Sequence, residues 1–298
     1  MTVPAVTSGR PALDETAAVV MASVARTFDL ASRLLPGDVR RDVRRLYLVM
    51  RTLDDMVDHG DPRADAAIEL VERWAAGGPA DGELAPILAD LAARFPSFPR
   101  DAVADFCAGM RADRAGVRHA TDVDMDRYCY AVAGTVGRMM AAVLGVIPGR
   151  EGAADVAARR LGAAMQRTNI LRDLVADARA GRAYIPDETF VAAGFPPAEV
   201  TDEMKLAFLA DLPHRPAALR RAIVGREIAL ADADYAAGLA GIGALRRGRR
   251  SIAAAGHLYR EILRQIERDG HGATGRRAVV SRPRKALIVA RTSLGGAR

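Results

Sequence analysis

Residues 166–186 read QRTNILRDLVADARAGRAYIP. Asn169, Asp173 and Asp177 recur every four residues, with Arg172 beside them. On a helix that interval returns to nearly the same face roughly 6 Å further along the axis. Ile170, Leu171, Leu174 and Val175 fill the positions between, so the pattern predicts a buried helix with one polar stripe. Bare charge is costly to bury, so the stripe needs cations opposite it. Arg172 and Arg179 supply some as internal salt-bridge partners, and a divalent metal would supply more.

A second stretch has the same character. Residues 47–61, YLVMRTLDDMVDHGD, place Asp54 and Asp58 four apart with Asp55 adjacent. Spacing alone is weak, because carboxylate pairs at this interval are common on solvated helix faces. Here Leu46, Leu48, Val49, Met50, Leu53, Met56 and Val57 leave only Arg51, Asp54, Asp55 and Asp58 as a polar face. Two such helices facing each other would ring a cavity with four carboxylates. Oxygen ligands of this kind suit hard Mg²⁺ (Mn²⁺ as its substitute), which also binds through substrate phosphates. Carboxylates, metal and diphosphate flanked by arginines form a device for drawing diphosphate off an allylic carbon. The metal neutralises the developing charge and the arginines hold it.

Composition agrees with an all-α chain. Half of the 298 residues are apolar but only 5% are aromatic, and alternating Val/Ile/Thr runs and Asn-Gly hairpin signals are few or missing. Cys107 and Cys129 form no CxxC and have no close His neighbours, so both read as small buried hydrophobes in a reduced, cytoplasmic setting. The start carries no secretory pattern, and the longest apolar run, residues 131–147, is interrupted by Arg138, which reads as a buried helix rather than a membrane span. Net charge is +6. Arg246–Arg250 (RRGRR) and the cations between Arg276 and Arg291 concentrate it late in the chain, where a solvated surface is the plain reading.

In chain order, residues 1–14 read as a flexible tail and residues 15–298 as one domain. Helices are expected over 15–35, from an Asp38 cap to Asp58, then 64–76, 82–94 and 100–111. Others follow over 121–147 with Thr121 as cap, 152–180, a short one after Pro186, then 201–212, 216–239 and 248–268, with a short closing helix from Lys285. The connections are short and no repeat recurs, which favours a single bundle.

These motifs carry a family resemblance. LYLVMRTLDDMVD (46–58), YCYAVAGTVG (128–137) and QRTNILRDLVADARAGRAYIPDE (166–188) resemble the two aspartate-rich motifs and the central helix of the squalene/phytoene synthase family, the head-to-head trans-prenyl diphosphate synthases. AGHLYREIL (255–263) and RRAVVSRPRKALIV (276–289) resemble its C-terminal end, so the likeness runs from about Thr27 to Val289. It implies an all-α, single-domain isoprenoid synthase bundle around a central apolar cavity. It also implies Mg²⁺-dependent condensation of two farnesyl or geranylgeranyl diphosphates through a cyclopropylcarbinyl diphosphate to a linear polyene, with NADPH required only if squalene is the product. Asp54, Asp58, Asn169, Asp173 and Asp177 become the implied metal ligands. Phe28, Tyr47, Arg51, Gln166, Arg172, Tyr184 and Arg276 become the implied substrate-binding residues, with Arg276 and Lys285 as candidates for closing the diphosphate pocket. Tyr128, Tyr184 and Tyr259 are placed near the reacting carbons or the departing diphosphate, with Tyr128 and Tyr259 as catalytic residues.

Small residues in YCYAVAGTVG fit either close helix packing at Ala133 and Gly134 or room for a prenyl chain. One departure from the family pattern is Ala25-Arg26-Thr27-Phe28, where members commonly have Ser-Lys-Ser-Phe. That motivates the alternative of a class I terpene cyclase or other prenyltransferase acting on one prenyl diphosphate. A basic helical module for nucleic acid is a third reading, and it leaves both aspartate pairs unexplained. Greasy substrates and a basic surface point to peripheral membrane contact without an anchor.

Overall fold

The computed structural model describes residues 10–24, 26–116 and 118–294. Its first half holds α1 (Arg10–Val24), α2 (Arg26–Ser32), α3 (Gly37–Asp58), α4 (Ala64–Ala75), α5 (Ala85–Arg94) and α6 (Arg100–Ala115). Then come α7 (Asp122–Cys129), a π-helical turn (Tyr130–Gly134), α8 (Thr135–Leu144) and the long α9 (Glu151–Arg179). The last third holds α10 (Asp187–Ala192), α11 (Asp202–Ala210), α12 (Ala217–Ala240), α13 (Arg249–Arg268) and α14 (Arg282–Leu294). Among the described residues the only β pairing is an isolated bridge, Val146 to Leu245. The all-α expectation holds.

Several boundaries differ from the sequence reading, among them the end of α6, which runs to Ala115 and not to 111. Residues 10–14, expected in the tail, are the first turn of α1; residues 1–9 lie outside the described residues. The helix expected over 15–35 is divided into α1 and α2. Pro36, not Asp38, stands at the N-cap of α3, and Asp38 lies in its first turn. A π-helical turn interrupts the helix expected over 121–147. Its start is as expected: Thr121 and Asp124 form a reciprocal capping box. Thr121→Ala is therefore expected to cost about 1 kcal/mol, read as a small fall in melting temperature with no change in the helical circular-dichroism shape.

Two apolar cores form, one on each side of a central seam. Leu46, Trp74, Leu88, Phe106 and Met139 anchor the first, built on α3–α6 and α8. Leu171, Phe208, Tyr235 and Leu263 anchor the second, built on α9 and α11–α13. Each fully buried side chain of this size contributes about 1.5–3 kcal/mol. Helix α9 lies at the seam, packed against α8, α12 and α13. Cys107 and Cys129 are buried, and burial pushes each thiol up to about 12, so both behave as small apolar residues.

A buried ionic cluster fixes the rotation of α9. Arg167 is 1% exposed and pairs with fully buried Glu227 of α12 and, at 2.6 Å, with Asp126 of α7. Thr189 Oγ1 donates to the same glutamate at 2.6 Å. Breaking such a pair from one side leaves an uncompensated charge, so it tolerates only one helix orientation. With Arg167 held on the α7/α12 side, its neighbours Gln166 and Asn169 face the seam.

Candidate active site

The seam opens into a cavity of about 440 Å³, within the range of small-ligand sites. Its inner wall is apolar, formed by Met50, Phe106, Val136, Met140, Leu161 and Leu245 among others. Small residues give it room and also let the helices approach. A Cβ on Gly137 would lie 2.3 Å from the Ala158 carbonyl oxygen, and one on Gly162 would lie 2.3 Å from that of Ala133. Gly137, Gly162, Ala133 and Ala158 also line the cavity, so close packing and space for a chain hold together.

Polar groups gather at one end. Of the residues singled out from sequence, Phe28, Tyr47, Arg51, Asp54, Tyr128, Gln166, Asn169, Arg172 and Tyr259 are on the cavity wall. Phe28 stacks on Tyr47 at 6.4 Å and meets the edge of Tyr259 at 6.2 Å. Ala25 and the Arg26 side chain, where the motif departs from the family pattern, lie outside the described residues. Asp173 and Asp177 line an adjoining cleft behind Arg172. Asp58, at the end of α3, pairs with Arg182 at 2.8 Å. Tyr184 is set back from the wall and stacks on Tyr128 at 5.3 Å.

Arg276 lines the adjoining cleft with Asp173 and Asp177, and its neighbour Arg277 also reaches the cavity wall and pairs with Asp173 at 2.8 Å. The two lie in a glycine-rich connection where no helical periodicity indicates which side chain turns inward. Lys285 lies on α14, away from the cavity wall. Asp113 and Arg182 were not found from sequence either. Asp113 accepts from the Tyr128 hydroxyl at 2.9 Å and the Tyr184 hydroxyl at 3.2 Å. Each stands alone in its segment, and only the fold brings it to the site.

Electrostatics show a surplus of negative charge. Burial, opposed by Arg51 and reinforced by Asp58 and Asp55, pushes Asp54 up to about 7. Burial and then the Asp173 charge push Asp177 up to about 6. Arg51 is divided between Asp54, at 2.5 Å, and Asp55. The carbonyl oxygen of Asn169 is buried without a hydrogen-bond partner, although its amide donates to Gln166 at 3.3 Å. Oxygen donors, two carboxyls held above their usual range and an orphaned amide oxygen fit a hard divalent cation. Among the described residues no three His, Cys, Asp or Glu side chains cluster tightly enough to hold an ion by themselves. An ion held here would need further oxygens, which phosphate and water could supply.

Residues 21–284 match the squalene/phytoene synthase family. The chain is 36% identical over 279 residues to a phytoene synthase of Thermus thermophilus, covering 92% of this chain and 90% of that one. It is 32% identical over 286 residues to chloroplastic phytoene synthase 2 of Solanum lycopersicum, covering 91% and 86%. Among solved structures, a ligand-bound dehydrosqualene synthase superposes with a TM-score of 0.76 at 23% identity, covering 94% of this chain and 95% of that one. A squalene synthase of Alicyclobacillus acidocaldarius superposes with a TM-score of 0.70 at 22% identity, covering 87% and 94%. At those identities the structural likeness speaks to the fold.

Proposed function

Because this chain belongs to the squalene/phytoene synthase family, whose prenyltransferases condense two prenyl diphosphates head to head, we propose that it joins two C20 diphosphates into a phytoene-type polyene. The observation that carries this reading is the amphiphilic cavity, with arginines and carboxylates at one end and an apolar chamber behind. The C20 length is supported by the phytoene synthases that match across nine-tenths of the chain.

Arg51, Arg172 and Arg277 are the proposed diphosphate donors, preplaced where negative charge develops on the leaving group. Asp54, Asp58, Asn169, Asp173 and Asp177 are proposed to hold Mg²⁺ from the two walls. When bound, that ion supplies charge neutralisation for the departing diphosphate. The aromatic cluster of Phe28, Tyr47 and Tyr259 presents ring faces to the allylic cation. The apolar wall excludes the water that would otherwise capture it. One substrate ionises, and the double bond of the other attacks its carbon 1 to close a cyclopropane. A second ionisation and rearrangement then give the linear product. This reading requires no NADPH.

No helix among the described residues is long and apolar enough to cross a membrane. The exposed Leu287 and Leu294 on the basic helix α14 support peripheral contact with an anionic lipid surface.

The test is incubation with Mg²⁺ and C20 or C15 diphosphate, followed by mass spectrometry. The C20 substrate is expected to give a forty-carbon polyene. A product retaining one substrate's carbon count would establish a cyclase or single-substrate prenyltransferase instead. A product formed only from C15 would move the reading to the dehydrosqualene type.

A further inference from the structure

Head-to-head joining releases protons as well as diphosphate. Closing the cyclopropane removes one hydrogen from carbon 1 of the ionised substrate, and a polyene product removes another from carbon 1 of its partner. Some group must take them. Among the described residues Tyr128 is the one hydroxyl-bearing residue on the cavity wall with a carboxylate directly behind it. Its Oη donates to Asp113 Oδ1 at 2.9 Å, across from α7 to α6. Asp113 itself is not on the wall, and Tyr184, stacked on Tyr128, donates to the same oxygen at 3.2 Å. His119 is 1% exposed and packs against the Tyr128 ring at 5.1 Å, which holds the phenol in place.

We infer that Asp113 is the terminal acceptor of the carbon-1 proton, received through the Tyr128 hydroxyl. In the step, the C–H bond breaks and its electron pair forms the new carbon–carbon bond. The Tyr128 oxygen takes that proton while its own O–H proton passes to Asp113, so the phenol is regenerated and the carboxylate becomes a carboxylic acid. The environment supports this order of events. Burial and the Asp113 charge push the Tyr128 phenol far above its usual value, so it accepts a proton only by handing one on. Burial and the Asp58 charge from α3 raise Asp113, while both tyrosines and Arg182 hold it down, leaving a carboxylate more basic than a solvated one. Asp113 acts on substrate through Tyr128 and is a positioning residue with respect to the reacting carbons.

This inference rests on the head-to-head reading, and the experiment separates the two. Substrate carrying deuterium at both carbon-1 positions is compared with unlabelled substrate for wild type, Asp113→Asn, Asp113→Glu and Tyr128→Phe. Asparagine still accepts the tyrosine hydrogen bond but takes no proton. Asp113→Asn is expected to lower turnover about 100-fold, with KM little changed. Its isotope effect is expected to rise from near unity to several-fold, because proton removal becomes limiting. Asp113→Glu is expected to recover much of the rate, and Tyr128→Phe to show the same enlarged isotope effect if Asp113→Asn does not fold. An unchanged isotope effect in both Asp113→Asn and Tyr128→Phe, or wild-type rates in Asp113→Asn, overturns the assignment and leaves the condensation standing. A wild-type enzyme that makes no head-to-head product overturns both.

Discussion

Asp54→Asn is expected to lower turnover by on the order of 10²–10³-fold or more and, in the same molecule, to raise the melting temperature at about pH 8. The two effects have one cause. An unfolded aspartate ionises near pH 4, whereas folded Asp54 holds its proton up to about 7 because it is desolvated and faces Asp58 and Asp55. Between those values the unfolded chain has released the proton and the folded chain has not. Stability therefore falls as pH rises through this window and stays reduced above it.

Asparagine removes that penalty at similar size. It leaves no orphaned cation, since Arg51 retains Asp55. Asp54 keeps 37% of its side-chain surface open to the cavity, and solvent screening there limits the gain to about 1–2 kcal/mol, or roughly 2–4 °C. The gain should shrink as pH falls and vanish near pH 4. Thermal melts across that range, without metal, provide the measurement. A gain independent of pH, or a loss at high pH, would show that the carboxylate surplus is not real. Adding Mg²⁺ with inorganic diphosphate should raise the wild-type melting temperature more than that of the variant, because the ligand relieves the same repulsion.

Gly162→Ala is the second large effect, and it runs against helix propensity. Inside a helix, alanine ordinarily gains about 1 kcal/mol over glycine. At Gly162 the added Cβ would sit 2.3 Å from the Ala133 carbonyl oxygen and 2.7 Å from the Gly134 Cα. Both are backbone atoms of the π-helical turn, and they have no rotamer to escape into. Overpacking of this kind costs about 1–3 kcal/mol, so the melting temperature should fall by roughly 2–6 °C. At Gly152, in the first turn of the same helix, an added Cβ would meet nothing within 4 Å. Gly152→Ala should therefore be neutral or mildly stabilising. Equal responses at the two positions would mean that α9 and the turn are not in backbone contact. Gly162→Ala should also reduce turnover of C20 diphosphate, because the separated helices reshape the inner wall.

The two aspartate-bearing helices could be read from sequence because their polar residues are set in apolar surroundings at a fixed interval. Periodicity and composition then carry both the element and its buried face. Thr121 was readable for a similar local reason, since its capping partner Asp124 is three residues away. Asp113 gave no such signal. Neighbouring Ala112 and Arg114 look like any exposed helix end, and its partners Tyr128 and Tyr184 come from α7 and the connection after α9. Arg182 and Arg277 belong to the same class, as cations in connections whose direction is set by tertiary packing. The turning of Arg276 to the cleft and of Arg277 to the cavity wall shows the limit most plainly. Gly275, at φ 61°, sets the chain's path there, and sequence pattern has no purchase on it.

The π-helical turn at Tyr130–Gly134 has a consequence for how this segment tolerates change in length. A π turn keeps one residue more than an α turn needs, so it acts as a phase shifter between α7 and α8. Deleting a single residue there would restore an unbroken α-helix with its phase kept, whereas tightening the turn to α geometry with all its residues retained would turn α7 about 100° relative to α8. Tyr128 would swing out of line with Val136 and Met140 while every helix remained formed. A one-residue deletion within α8 or α7, outside the turn, has no such slack and alters timing along the chain. The turn is thus the place where the segment can absorb a change of one residue, and the helices on either side are not.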